Sequence, residues 1–539
     1  MSEQGHGGQA VSGALKALGV SKVFTLSGGH IFPIFDGCVK DEIELVDVRH
    51  EQNAVFAAEA WARLKRELGV AAVTAGPGVT NAMSPLAQAA FNDASVLVLA
   101  GRAPMFRWGQ GSLQEMDHVP FVDPIAPAKT ITSTEEVAAG VLAAAADALS
   151  APAGPRFLDF PLDVLFNQAE IVIPAPQEVT HKLDGEAESS AQEIAKMIEA
   201  AERPIIIAGS NVWSERGEEA LRSLAEHAGV PVYMNGQGRG CLAADHPLAF
   251  SRSRGKAMAG ADLVIVAGTP LDFRLGFGQN FAFGAKVVHI YSAGPAQHVD
   301  LAAGMKAAAG VALRAIDDAF EGKPQTDDWV SLLREEEVAK AGKVATDLAN
   351  DSKPIHPMRI YGELVPLLDR DAIVIGDGGD FVSYAGKEVP SFEPGCWLDP
   401  GPYGCLGIGP GYALAARHAY PDRQVVIMYG DGAIGFSASE LETLCRYKLP
   451  VVCVVGNNGI WALEKHPMRG LYGYDVVADL APGIRYDEMM RSFGGQGELV
   501  EDPAEIGPAI KRAFDSGEPY LVNVLTDPDI AYPRSANLA

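Results

Sequence analysis

Two short polar segments carry the densest potential chemistry of this 539-residue chain. Gly430-Asp431-Gly432 ends one apolar run and Asn457-Asn458-Gly459 ends the next. A carboxylate at one strand end and a side-chain amide at the next both offer oxygen to a hard cation such as Mg²⁺, with diphosphate oxygens, a backbone carbonyl and water completing an octahedron. The glycines let main-chain N–H groups approach phosphate oxygens closely. Taken singly, such tripeptides are ordinary turns. A third segment, Arg49-His50-Glu51-Gln52-Asn53-Ala54, leads into the alanine-rich stretch Ala57-Ala58-Glu59-Ala60-Trp61-Ala62. There Glu51 either complements a helix dipole or serves chemistry.

Asn458 follows Asp431 by twenty-seven positions, and the pair resembles the fingerprint of thiamine-diphosphate enzymes. The segment around Glu51 resembles the Arg-His-Glu-Gln pattern of the acetolactate synthase superfamily. Ala75-Gly76-Pro77-Gly78-Val79-Thr80-Asn81 is similar to the turn that meets the cofactor's pyrimidine half, and Gly404-Cys405-Leu406-Gly407 to the segment that bends the cofactor. The resemblance runs from Phe24-Thr25-Leu26-Ser27-Gly28-Gly29-His30 to the C-terminal block and so covers essentially the whole chain.

That resemblance implies thiamine diphosphate and Mg²⁺ as cofactors. Asp431 and Asn458 would be metal ligands, with the main-chain carbonyl of Ile460 as a third; Asn457 with Gly459 is the alternative register. Gly430, Gly432 and Ala433 would lie along the diphosphate, Pro77 and Asn81 by the pyrimidine, and Leu406 between the two rings. Glu51 would hydrogen-bond the pyrimidine so that the cofactor's own amine takes the C2 proton. In this superfamily the sites lie between subunits, which implies a homodimer or homotetramer.

The cofactor alone does not name the reaction. Gly435-Phe436-Ser437, the stretch 440–450 and Asn458-Gly459-Ile460-Trp461 are similar to 2-hydroxyacyl-CoA lyases, whereas Gly28-Gly29-His30-Ile31-Phe32-Pro33 and Gln114-Glu115 are more like acetolactate synthase. The expected activity is cleavage of a 2-hydroxyacyl-CoA to formyl-CoA and an aldehyde or ketone. The alternative is acetolactate synthase, acting on a 2-oxo acid, and the weakest reading is a non-catalytic cofactor-binding homologue, which the intact Glu51, Asp431 and Asn458 disfavour. In the lyase reading Gln114 and His30 hydrogen-bond oxygens where charge develops, and Glu464 with His466 relays protons. Arg252, Arg274 and the tail residue Arg534 contact CoA phosphates. The plainer alternatives are a strand-end cap for His30, a solvated helix face for Glu464 and His466, and a frayed tail charge for Arg534. For the middle block the resemblance leaves ADP or FAD open as a bound nucleotide.

The elements that must position these residues are short Val/Ile/Leu-rich runs alternating with helical patterns, the mark of parallel sheets covered on both faces. Candidate strands are 70–74, 96–100, 205–208, 263–267, 373–375, 425–428 and 451–455. Polar stretches at 171–190 and 339–357 read as linkers. The fold class is therefore α/β, with three doubly wound parallel-sheet domains: a pyrimidine-binding domain at 1–170, a central nucleotide-binding-like domain at 191–338, and a diphosphate- and Mg-binding domain at 355–539. The first and last blocks are candidates for one repeated fold.

Whole-chain composition sets the outer bounds. Hydrophobic residues at 48% supply three buried sheets. A net charge of −26 repels a nucleic-acid backbone, so any phosphate site must be local. Six scattered cysteines suggest neither a zinc site nor a disulfide framework. With no apolar run long enough for a membrane span, a cytoplasmic enzyme is expected.

Overall fold

The computed structural model describes residues 3–322 and 326–533. It holds two compact units. One runs to Thr180 and adds Pro400–Pro421 and Ser437–Leu449; the other takes His181–Asp399, Asp422–Phe436 and the chain from Pro450 onward.

In the first unit, β1 (Glu3–His6) is followed by β2 (Lys22–Thr25), β3 (Glu44–Asp47), β4 (Gly69–Val73), β5 (Val96–Arg102), β6 (Ala128–Thr130), β7 (Arg156–Pro161) and β8 (Gln168–Ile171). β1 and β8 pair antiparallel, and the other six form a parallel sheet in the order β3-β2-β4-β5-β7-β6. The second unit carries two parallel sheets. The central one contains β9 (Pro204–Ala208), β10 (Val232–Met234), β11 (Ala249–Phe250), β12 (Leu263–Ala267), β13 (Lys286–Ile290) and β14 (Ala303–Met305), ordered β11-β10-β9-β12-β13-β14. The C-terminal one contains β15 (Ile373–Asp377), β16 (Trp397–Leu398), β17 (Val425–Gly430), β18 (Val452–Asn457), β19 (Gln496–Val500) and β20 (Tyr520–Leu525), ordered β16-β15-β17-β18-β20-β19.

The strand composition explains the layering. β9 reads Pro-Ile-Ile-Ile-Ala with every residue buried, and alternation sends its side chains into two different cores. Ile206 and Ala208 join Leu224 and Ile316 on one face, while Ile205 and Ile207 join Trp329 and Leu333 on the other. A sheet buried on both faces needs helices on both, which is the doubly wound arrangement. Each fully buried Ile or Val contributes about 1.5–3 kcal/mol.

Numbered within each sheet, the first and C-terminal sheets share one winding, second-first-third-fourth-sixth-fifth. The central sheet runs third-second-first-fourth-fifth-sixth, the order of dinucleotide-binding folds. Ligands of such sheets bind beyond the carboxyl ends of strands, where the winding reverses. Those points lie between β2 and β4, between β9 and β12, and between β15 and β17.

The linker expected at 339–357 is partly helical: residues up to 348 continue the helix Asp327–Leu348. Its polar composition hides a helix supported by i,i+4 pairs such as Glu336 with Lys340. Residues 172–184 form an irregular connection before the helix Gly185–Ala200. Among the described residues no helix is long and apolar enough to cross a membrane.

Candidate active site

In the first unit, His50 opens the helix Glu51–Lys65 with an extended backbone, and its Nδ1 accepts the Gln52 N–H at 3.2 Å. That cap fixes Glu51 on the first turn. Glu51 is 7% exposed, and its Oε2 accepts from Asn81 Nδ2 at 3.0 Å. The approach to the helix is held by Glu440, whose two carboxylate oxygens each lie 3.0 Å from the donating Arg49 N–H. The Thr443 hydroxyl donates to the same carboxylate at 2.6 Å. Burial pushes the Glu440 carboxyl up to about 7, against the pull of these hydrogen bonds. Just upstream, Asp47 accepts from Arg446 Nη1 and the Tyr447 hydroxyl, each at 2.7 Å.

Small residues let the helix Gly409–Ala419 lie against this one. A side chain at Gly411 would start 2.9 Å from Phe56 Cβ. Leu406 precedes the helix Gly409–Ala419 in a loop between Gly404 and Gly407, both left-handed at φ 78° and 80°. It is half-buried rather than a core leucine.

His30, Thr74 and Gln114 gather at the winding reversal of the same sheet and line a cavity of about 530 Å³. Thr74 Oγ1 donates to Gln114 Oε1 at 3.2 Å and lies 3.4 Å from His30 Nδ1. Burial lowers the His30 pKa, and a hydrogen bond with the Leu113 backbone opposes this. Gln114 itself is left-handed, φ 59°. Pro77 and Asn81 begin and end the short helix Pro77–Asn81 that follows Gly76.

In the second unit, the GDG and NNG segments meet at the reversal of the C-terminal sheet. Asp431 is 4% exposed; its Oδ1 accepts the Gly432 N–H at 2.9 Å and its Oδ2 the Gly459 N–H at 2.6 Å. Burial pushes its carboxyl up to about 7, the two backbone donors oppose this, and Asp380 adds to the rise. Asn458 Oδ1 accepts the Ile460 N–H at 3.1 Å. The Gly459 carbonyl accepts Leu480 N–H at 2.8 Å, and Asn457 Nδ2 donates to the Ile484 carbonyl at 3.0 Å and to Asn523. In the alternative register the Gly459 carbonyl is thus engaged, whereas Asn457 Oδ1 is buried with no hydrogen-bond partner, so both Asn457 and Asn458 stay open as the amide ligand. One carboxylate, one amide and a carbonyl suit a hard cation that also takes phosphate oxygens. Among the described residues no three His, Cys, Asp or Glu side chains cluster as a self-sufficient metal site. Facing Gly430 and Ala433 is Gly378, left-handed at φ 97°, where any Cβ would collide with the Ala433 methyl. The result is a bare-backbone cradle beside the carboxylate.

Glu464 lies exposed on the first turn of the helix Ala462–Tyr472. His466 is half-buried, its Nε2 buried without a hydrogen-bond partner. Burial raises the carboxyl of Asp380, and backbone hydrogen bonds oppose this. Arg252 forms a two-pronged pair with Glu388 at 3.1 and 2.6 Å and lines a cavity of about 590 Å³ between the central and C-terminal sheets. Arg239, Arg254, Lys340, Lys343 and Lys387 also line it, against the two carboxylates Glu388 and Asp399. Arg274 does not line it; Asp272 holds its guanidinium at 2.7–3.1 Å. Arg534 lies outside the described residues. Asp380, Glu440 and His118 are additions. A strand-end carboxylate after Gly378-Gly379 was a readable signal for Asp380, whereas Glu440 and His118 gain meaning only from contacts distant in sequence.

Three family models match the chain: the N-terminal TPP-binding domain of thiamine pyrophosphate enzymes over residues 5–121, their central domain over 191–315 and their C-terminal TPP-binding domain over 377–524. The acetolactate synthase large subunit IlvG of Mycobacterium tuberculosis is 50% identical, covering 99% of this chain and 98% of the relative. The 2-hydroxyacyl-CoA lyase 2 of Caenorhabditis elegans is 34% identical (92% and 85% covered), and the human protein of that name 32% (96% and 90%). With all three models in order along three parallel sheets, the chain belongs to the thiamine pyrophosphate enzymes and is an enzyme dependent on that cofactor.

Proposed function

We propose that this enzyme is a 2-hydroxyacyl-CoA lyase that cleaves its substrate reversibly to formyl-CoA and an aldehyde or ketone. The observation that carries the reading is the cationic cavity of the second unit. Six Lys and Arg side chains against two carboxylates, in a chain of net charge −26, suit the phosphates of an extended anionic substrate such as CoA better than a three-carbon acid. Its volume is within the range of small-molecule sites.

When bound, thiamine diphosphate supplies a nucleophilic carbon and an electron sink. The chain's own residues do the rest. Glu51 would hold a proton at the pyrimidine ring, and Leu406 would pack against the bound cofactor. Asp431, Asn458 and the Ile460 carbonyl would hold Mg²⁺, and the Gly430–Ala433 turn with Gly378 would leave room for the diphosphate. His30 and Gln114 donate hydrogen bonds to the oxygens that gain charge as the bond between thioester carbon and hydroxyl-bearing carbon breaks. The substrate hydroxyl loses its proton as the aldehyde or ketone leaves, and a proton returned to the thioester carbon completes formyl-CoA. To His466 and Glu464, on one helix of the second unit, we assign the exchange of those protons. Arg252 contacts CoA phosphate, and we assign the same role to Arg534. Arg274, held by Asp272, is better placed to orient a nucleotide such as ADP or FAD at the central sheet. We assign pyrimidine binding to 1–170, the nucleotide-like domain to 191–338 and diphosphate binding to 355–539, in a cytoplasmic homodimer or homotetramer.

A second reading, acetolactate synthase, is favoured by the 50% identical mycobacterial relatives of that name. Purified enzyme with thiamine diphosphate and Mg²⁺, offered 2-hydroxyisobutyryl-CoA and pyruvate in parallel, decides between them by mass spectrometry. Formyl-CoA with acetone supports the lyase; acetolactate alone replaces it with the synthase.

A further inference from the structure

His118 is fully buried, four residues beyond Gln114, and has no place in the roles above. Its Nε2 lies 3.0 Å from the Gly76 main-chain nitrogen. A backbone N–H can only donate, so Nε2 is the acceptor and carries no proton. The ring proton therefore sits on Nδ1, which faces Asp159 Oδ2 at 2.9 Å. Asp159 is also fully buried, and its charge is balanced by Arg102 Nη1 at 3.0 Å. Carboxylate, imidazole and backbone amide thus form a directed chain with a single tautomer.

What this chain ends on gives it consequence. Gly76 is left-handed at φ 58°, and any Cβ there would come within 3.0 Å of Gln114 Cβ. Gly76 opens the helix Pro77–Asn81, and Asn81 holds Glu51. Gln114, itself left-handed, takes the Thr74 hydroxyl on its amide oxygen. The cavity wall that presents Gln114 therefore leans on the Gly76 turn, whose amide has His118 as its side-chain acceptor.

We propose that His118, oriented by Asp159, is a positioning residue that fixes Gly76 and through it the Gln114 wall of the substrate cavity. This rests on the reading of Gln114 as a substrate-facing donor. Glutamine can reproduce both bonds, its oxygen accepting from Gly76 and its nitrogen donating to Asp159; leucine fills the space and makes neither.

The test has two parts. In enzyme labelled with ¹⁵N-histidine, the imidazole signal lost in His118→Gln is expected to be the Nδ1–H tautomer; an Nε2–H tautomer or an imidazolium overturns the proposal. On whichever substrate the wild type turns over, His118→Leu is expected to lower kcat about 100-fold, the scale of an ångström of misplacement, with thiamine diphosphate affinity retained. His118→Gln is expected to stay within roughly threefold of wild type, since it keeps both hydrogen bonds. A His118→Leu enzyme with unaltered kcat, or a His118→Gln enzyme as impaired as the leucine variant, overturns it. If the leucine variant does not fold, impaired turnover in His118→Gln has the same force. Should the wild type turn over neither substrate, the reaction assignment fails, while the tautomer still decides whether the brace exists.

Discussion

At the scale of single residues, two buried glutamates stand close in space and do different work. Glu51 has one side-chain partner, the Asn81 amide, and otherwise presents its carboxyl at the head of its helix. Replacing it with glutamine keeps the shape and removes the exchangeable proton. Its loss should lower kcat at least about 100-fold, as for other general acid–base groups, with an unchanged melting temperature; near-normal turnover would remove its assigned role. Glu440 instead accepts backbone and hydroxyl donors that fix the Arg49-His50 turn. Its folded value is raised by burial from 4.5 to about 7. A carboxyl raised in this way contributes stability that is fully present below pH 4.5 and lost as pH rises through 7. The cost of the ionised form above that range is on the order of 3 kcal/mol. Glu440→Gln should therefore flatten the fall in melting temperature from pH 5 to pH 8, read by scanning fluorimetry against wild type. Parallel curves for the two proteins would contradict this.

At the scale of elements, glycines decide where backbone can meet a ligand. Gly378→Ala asks a left-handed position to accept a methyl that collides with Ala433, across from Gly430. The variant should bind thiamine diphosphate at least about tenfold more weakly, measured by quenching of tryptophan fluorescence; an unaltered affinity would argue against a cradle at this turn. The buried strands that frame such turns were legible in the sequence. All seven runs expected from β-branched composition are strands, because residues buried on both faces leave an apolar run with no polar interruption. Others escaped: the edge strands β16, only Trp397–Leu398, and β6, Ala-Lys-Thr, and interior strands such as β7 and β20, whose apolar runs are broken by Asp159 and Asn523. The helix through residue 348 escaped because its stabilising pattern is charge spacing rather than an apolar stripe. Likewise Glu51, Asp431 and Asn458 were proposed from local motifs. His118 and Glu440 were not, since each acts on a backbone amide 42 or 391 positions away.

At the scale of the whole molecule, sheets of identical winding carry the two proposed halves of the site, Glu51 at the first and Asp431 at the C-terminal one, while the central sheet has the dinucleotide-binding order. Charge is distributed as unevenly as topology. The chain as a whole is at −26, yet the cavity of the second unit is cationic, and its Lys340 and Lys343 come from the helix Asp327–Leu348 that spans the apparent linker. At physiological salt, exposed charges more than about 8 Å apart are largely screened, so the acidic average does little inside the cavity and the nearest lysines dominate. Arg252 is a poor probe, because its removal would leave Glu388, with a side chain 3% exposed, as an unpaired buried charge. The two lysines have no such buried partner: Lys340 reaches Glu336 and the Arg252 carbonyl. A Lys340→Gln, Lys343→Gln double variant should therefore raise KM for a 2-hydroxyacyl-CoA about tenfold, each lost phosphate contact costing under about 1 kcal/mol when partly exposed. The same change should leave KM for pyruvate as it was, because a small acid has no phosphates to reach these side chains. Raising the salt from about 50 to about 300 mM should weaken CoA-substrate binding in the wild type more than in the double variant, since screening acts on the attraction that the variant has already lost. Equal salt dependence in the two proteins would mean that the cavity's charge serves the fold and that the anionic tail of the substrate lies elsewhere.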